Sequence, residues 1–201
     1  MSFPDGRDRL IEQLLAYIPY NEQEEKDRDE ILRWLDDEAD IFKRRNAAAH
    51  MTASAWVTDQ TCTRLLMAYH NIYRSWSWLG GHADGDTNLL RVALREVTEE
   101  SSVTDVHPLL ETPFSVEILT VDGHEKHGHY VSSHLHLNVT YLLEADSRSV
   151  LASNPEENSA VGWFPLDEAV SMSSEHWFRE RIYSKLNEKL RKFIETSSKT
   201  L

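Results

Sequence analysis

Cysteine is nearly absent from this chain of 201 residues, with Cys62 the only one. An internal disulfide is therefore excluded, and one sulfur cannot build a thiolate zinc site. Long hydrophobic runs are missing as well. No stretch approaches the roughly 20 apolar residues that a membrane-spanning helix needs. Residues 1–10, MSFPDGRDRL, lack the basic-then-apolar order of a secretory signal. The expected compartment is the cytoplasm, with no membrane as partner. Positive charge is scarce: 21 Lys and Arg against 34 Asp and Glu leave a formal net charge of −13. So acidic a chain is a poor electrostatic match for a nucleic-acid polymer. A small anionic substrate stays admissible, because a bound divalent cation inverts the local field.

What is present is enough apolar material for one domain, at 40% hydrophobic residues. Leu10, Ile11, Leu14, Leu15 and Ile18 recur at helical spacing and are followed by Pro19. Asn21 and Glu24 read as a capping box for a second helix, with Ile31, Leu32, Leu35, Ala39 and Phe42 on its apolar stripe. The charge run over residues 22–40 reads as a solvated face. Residues 51–57 and 64–69 form a hairpin across a turn at 58–61, which puts Cys62 at a hairpin strand. Residues 76–79 make a third apolar stretch, ended by Gly80 and Gly81. A helix is predicted over 88–101, strands over 114–121, 130–143 and 161–164, and a last helix carrying Phe178, Ile182, Leu186, Leu190 and Ile194. This order fits a layered α/β or α+β domain over residues 46–201, preceded by a helical annex over residues 1–45. The annex is open to three readings: a homodimer contact, a cap on the pocket, or a cover for a sheet edge.

Residues 80–103, GGHADGDTNLLRVALREVTEESSV, carry the chemistry. On a helix, Glu96, Glu99 and Glu100 fall at i, i+3 and i+4, so their carboxylates share one face, while Leu89, Ala93 and Val97 line another. Clustered carboxylates repel one another. Arg95 can pair with Glu99, and a hard cation with oxygen ligands offsets the remainder. An ordinary charged helix would explain the glutamates alone. The two preceding glycines shift the balance, because they let the backbone turn tightly.

This segment resembles the Nudix box: Gly, five residues, Glu, seven residues, Arg-Glu, an apolar residue, any residue, Glu-Glu, any residue, Gly, apolar. Gly81, Arg95, Glu96, Val97, Glu99, Glu100 and Val103 match. Thr87 stands in place of the first Glu, and Ser102 in place of the last Gly. The resemblance implies a Nudix α/β/α sandwich with a mixed sheet and hydrolysis of a diphosphate bond in a nucleotide-like substrate, with Mg²⁺ or Mn²⁺. It implies Glu96, Glu99 and Glu100 as metal ligands, Gly81 (or Gly80) as a carbonyl ligand, Glu96 or Glu99 as base, and Arg95 as the group that orients them. Asp84 and Asp86 are candidate substitutes for the missing carboxylate, although Asp86 reads better as the helix N-cap. Ser102 implies a non-glycine residue in the left-handed region, at a cost of about 1 kcal/mol. Family members often carry a further acid before the last strand, which implies Glu157 here, with Glu156 second.

Five histidines crowd into residues 124–136. His134 and His136 share a strand face and are candidate phosphate-contacting or metal-assisting groups. His124, His127 and His129 read as loop residues with room for adventitious zinc. His82, next to the glycines, is a candidate substrate contact. Tyr73 and Arg74 precede the motif, an aromatic for a base and a guanidinium for a phosphate. Three functions compete: a pyrophosphohydrolase, a nucleotide-binding module that does not turn over, and an isopentenyl-diphosphate-type isomerase. Cys62, remote from the acidic motif, speaks against the third.

Overall fold

The structure is a computed structural model and describes residues 6–37, 40–126 and 128–197. The expectations placed on Ala39 and His127 lie outside them. In chain order the elements are α1 (Gly6–Ala16), α2 (Glu22–Asp37), β1 (Ala49–Asp59), β2 (Arg64–His70), β3 (Ser75–Ser77), β4 (Leu79–His82), α3 (Leu89–Ser101), β5 (Val106–Pro108) and β6 (Ser115–Val121). There follow β7 (His124–Lys126), β8 (His129–Val131), β9 (His134–Ala145), β10 (Asn158–Pro165), α4 (Leu166–Met172), α5 (His176–Phe178), a π-helical turn (Arg179–Tyr183) and α6 (Ser184–Ser197). The main sheet runs β10-β2-β1-β9-β5, with β3 on β2, β4 on β1 and β6 on β9. All eleven residues of β1 are buried, as a central strand covered on both faces requires. The expected mixed α/β class is what the chain adopts. No described helix is long and apolar enough to cross a membrane.

Contacts divide the chain into two compact units. The first is Met1–Ser54, Gly80–Ala93 and Glu111–Tyr141; the second is Ala55–Leu79, Leu94–Leu110 and Leu142–Leu201.

In the first unit, α1 buries Leu10 and Leu14, but Leu15 and Ile18 are 68% and 87% exposed. The stripe read from the sequence is therefore too wide, because the helix ends at Ala16 and Ile18 lies beyond it. Asn21 does cap α2, its Oδ1 accepting the Glu24 N–H at 3.0 Å. Glu24 departs from the solvated-face reading and is fully buried. It accepts from Tyr17 Oη at 2.5 Å, Tyr20 N at 2.7 Å and Ser115 Oγ at 2.7 Å. Burial and the adjacent Glu24 carboxylate push the Tyr17 phenol well above its usual range. Strand β6 pairs with β9 along one edge. Asp27 Oδ2 accepts the Ile118 N–H of β6 at 3.1 Å. Helix α2 thus covers a strand edge, the third of the readings open for the annex.

Gly80 and Gly81 lie inside β4 rather than ending it. A Cβ on Gly80 would come within 2.6 Å of the Ala53 carbonyl oxygen, so only glycine lets β4 lie this close to β1. The long strand predicted over 130–143 is broken: β8 pairs with β7 in a separate hairpin, and β9 starts at His134. His124 and His129 are therefore hairpin residues, not loop residues.

In the second unit, β1 and β2 form the expected hairpin, with Val57 opposite Leu66. Cys62 lies in its turn at φ 54, not in a strand. Asp59 holds that turn, accepting from Thr61 Oγ1 at 2.7 Å, Thr63 N at 2.8 Å and Arg64 N at 3.0 Å. Tyr183 stacks on Trp56 at 5.4 Å and meets Trp78 edge-on at 5.6 Å. The π turn at Arg179–Tyr183 inserts a residue into the helical repeat. Ile182, Leu186 and Leu190 are buried, whereas Phe178 and Ile194 are only half-buried. Sequence periodicity missed α4 and β5, which are seven and three residues long.

Candidate active site and its family

Helix α3 starts at a cap. Asn88 Oδ1 accepts the Arg91 N–H at 3.1 Å. Asn88 is thus the N-cap, not Asp86 as the sequence suggested. Asp86 instead accepts from the Asn88 N–H at 2.9 Å and from Arg91 Nε at 2.8 Å. Asp84 accepts from Arg44 Nε at 2.6 Å. Both proposed substitutes for the missing carboxylate are therefore engaged by arginines. Thr87 itself faces the start of α1, where a Cβ on Gly6 would collide with Thr87 Oγ1.

Val97 is fully buried, which fixes the rotation of the rest of α3. That rotation leaves Glu96 and Glu100 at 7% and 4% exposure, while the Glu99 side chain is 54% exposed. Arg95 Nη2 donates to Glu96 Oε1 at 2.7 Å. Its Nε lies 3.8 Å from Glu99 Oε1, so the pairing expected with Glu99 is the looser of the two. Burial raises the pKa of Glu96; Arg95 opposes the shift, and Glu99 and Glu157 reinforce it. Glu157 is therefore near enough to Glu96 for their charges to interact. A cation at this point would relieve both the desolvation and the repulsion.

The loop that carries Glu157 is tied to the end of α3. Asn158 is fully buried, and its Nδ2 donates to the Glu100 carbonyl at 3.0 Å. Ala152 N donates to the Ser101 carbonyl at 3.0 Å. Two orphan carbonyls at the helix C-terminus are thereby satisfied, and the acidic loop is fixed. Sequence reasoning passed over Asn158, which looked like one more polar loop residue. Ser102 has φ 63, the left-handed conformation expected where the motif carries glycine. On its other side the loop meets the β2–β3 turn, Asn71 N donating to the Glu157 carbonyl at 3.0 Å. That turn carries Tyr73, 45% exposed and 4.6 Å from the His70 ring, and Arg74, exposed at φ 50. The second unit thus gathers Arg95, Glu96, Glu99 and Glu100 with Glu157, and places Tyr73 and Arg74 on the turn bonded to its loop. Glu156, the alternative acid, is exposed on the same loop.

The other sequence candidates fall in the first unit. Gly81 and His82 are in β4, and His134 and His136 start β9. His82, His134 and His136 come together with His50, which sequence reasoning missed. His50 gave no signal because it is a single histidine at the start of an apolar strand. Ring centroids lie 5.1 Å apart for His50–His82, 4.9 Å for His82–His136 and 5.0 Å for His134–His136. Burial, followed by the neighbouring rings, holds His136 far below the ordinary imidazole range. Burial also lowers His50, against a hydrogen bond to Asn46.

No curated protein is detectably similar in sequence. Among solved structures, an Ap4A hydrolase binary complex from C. elegans is similar at 15% identity, covering 73% of this chain and 98% of that one with a TM-score of 0.50. A NUDIX-family hydrolase from Clostridium perfringens gives 19%, 72%, 97% and 0.51. The NUDIX domain of Shewanella oneidensis NrtR, solved with ADP ribose, gives 16%, 81%, 97% and 0.50. At these identities the likeness is one of fold. Residues 48–186 match the NUDIX domain family as a whole, a span that contains every glutamate of the α3 cluster and Glu157. The chain belongs to the NUDIX family of hydrolases.

Proposed function

We propose that the chain hydrolyses a diphosphate bond in a small nucleotide-like substrate, a nucleoside diphosphate linked to a second moiety, with Mg²⁺ or Mn²⁺. The observation that carries this reading is the acidic cluster on α3, with Glu157 close enough to raise the pKa of Glu96. Its donors are all oxygens, which suits a hard divalent cation. Glu96, Glu99, Glu100 and Glu157 would hold the ion. A bound Mg²⁺ would polarise the phosphorus centre and neutralise charge on the departing phosphate. Glu99, the most exposed of the three α3 glutamates, is the better placed general base, with Glu96 the alternative. Arg95 holds Glu96 in place through its 2.7 Å hydrogen bond. Arg74 suits a substrate phosphate and Tyr73 a nucleobase. His82, a candidate substrate contact, and His134 and His136, candidate phosphate-contacting or metal-assisting groups, form a cluster with His50.

Thr87 favours a second reading, a module that binds a nucleotide without cleaving it, because the position lacks a carboxylate and is packed against Gly6. One screen separates the two. Nucleoside triphosphates, oxidised nucleotides, ADP-sugars and dinucleoside polyphosphates are incubated with Mg²⁺ or Mn²⁺. Hydrolysis predicts release of phosphate or a mononucleotide that EDTA abolishes. Calorimetric binding with no product from any of them would overturn hydrolysis and leave the binding module.

A further inference from the structure

We propose that His50, His82 and His136 form a binding site for a borderline divalent transition metal, of which Zn²⁺ is the type, with His134 as fourth ligand. The three residues each offer a ring nitrogen, and the three nitrogens all lie within 4.8 Å of one another. A tetrahedral centre with Zn–N bonds of about 2.0–2.1 Å spaces its ligands about 3.3 Å apart, so closure needs rotamer shifts of about an ångström.

Independent support comes from His50. It is 4% exposed, and its Nε2 is buried without a hydrogen-bond partner among the described residues. A buried polar atom left unpaired costs roughly 1–3 kcal/mol, which calls for an explanation. The other ring nitrogen supplies one. His50 Nδ1 lies 3.1 Å from the Asn46 carbonyl, which can only accept, so Nδ1 carries the proton and Nε2 presents a lone pair. Metal-ligating histidines are set up in this manner, the far N–H donated to a backbone carbonyl. His134 repeats the arrangement. Its Nδ1 lies 2.8 Å from the Ser132 carbonyl, which leaves the Nε2 lone pair facing His136 Nε2 at 3.1 Å. These two nitrogens need either a proton or a shared cation between them.

An all-imidazole donor set selects Zn²⁺, Co²⁺, Ni²⁺ or Cu²⁺ over Mg²⁺. The donors differ from the oxygen-only glutamates of α3, so the inference stands or falls apart from the hydrolase reading. The protein is stripped with EDTA and titrated with Co²⁺ in excess Mg²⁺, which keeps the carboxylates occupied. The wild type is expected to develop the visible absorption of a nitrogen-ligated Co²⁺ ion with a 1:1 endpoint, and Zn²⁺ should bleach it. His82→Asn and His136→Asn should each weaken Co²⁺ binding by about 10–100-fold or more, while Glu99→Gln should not. So that the test does not depend on the His136→Asn variant folding, ¹⁵N-histidine spectra of the wild type give a second readout. Zn²⁺ should shift the Nε2 resonance of His50 and leave Nδ1 protonated. No Co²⁺ absorption in excess Mg²⁺, or absorption unchanged in a folded His82→Asn protein, would overturn the proposal.

Discussion

The side-chain amide of Asn158 donates to the main-chain carbonyl of Glu100 at 3.0 Å, across 58 positions of sequence. One hydrogen bond therefore closes the C-terminus of the helix that carries the acidic cluster and fixes the residue after Glu157. Asn158 Oδ1 also accepts from Asn154 N at 3.2 Å, so a single buried side chain holds the loop at two points. Asn158→Ala would leave buried groups unpaired and should cost about 1–3 kcal/mol. Chemical denaturation measures that loss. The same variant should lower kcat more than it raises KM, because Glu157 is displaced from the proposed metal site rather than from a substrate contact.

Ser102 has φ 63 and is exposed. Ser102→Gly should stabilise the protein by about 0.5–1 kcal/mol, since glycine's extra freedom when unfolded cancels part of the relief. At this chain length that is a rise in Tm of about 1–4 °C. Ser102→Ala keeps the strained Cβ and should show no such rise. Turnover should be unchanged in both.

Burial raises the pKa of Glu96, so in the metal-free protein its ionised form is a cost to folding. The stability associated with a raised carboxyl pKa is present below the unfolded value and is lost as pH rises through the folded one. Glu96→Gln should therefore melt no lower than the wild type at pH 7 in EDTA, with the gap narrowing in acid as the wild-type carboxyl protonates. Turnover should fall by about 10²–10⁴-fold. Thermal melts across pH beside a rate assay check both halves.

Asp59 behaves in the opposite sense. Burial alone would raise its pKa, but the hydrogen bonds from Thr61, Thr63 and Arg64 hold it below the usual aspartate value. A depressed pKa gives stability that is present above the unfolded value of about 3.9 and is lost as pH falls through the folded one. Asp59→Asn should cost about 1–2 kcal/mol at pH 7. The deficit should shrink below about pH 4, because the wild type then loses the same interactions.

The acidic helix was legible because its spacing carries its geometry: i, i+3 and i+4 on a helix force three carboxylates together whatever the rest of the chain does. Its ends were legible less well. Asn88 and Asp86 are both good caps, and only the paired arginines Arg44 and Arg91 show where the aspartates are held. Glu24 was misjudged because a charge run hides its one buried member, and only the facing Tyr17 and Ser115 hydroxyls make that burial tolerable. His50 was invisible for a related reason. Its three partners lie 32, 84 and 86 positions away, and no local pattern announces a cluster assembled from separate strands. Strand β9 was drawn too long because Tyr130 and Val131 are β-formers like the residues that follow, but they pair with β7, and the pairing with β6 begins at His134.

On the proposed function, the α3 glutamates hold a divalent cation that hydrolysis requires. Mn²⁺ binding followed by electron paramagnetic resonance, on the wild type and on Glu99→Gln and Glu100→Gln, tests it most directly when turnover of the substrate found in the screen is measured on the same samples. Both variants should stay folded, bind Mn²⁺ about tenfold or more weakly and lose turnover in step. Folded variants that bind Mn²⁺ as tightly as the wild type and hydrolyse at its rate would contradict it.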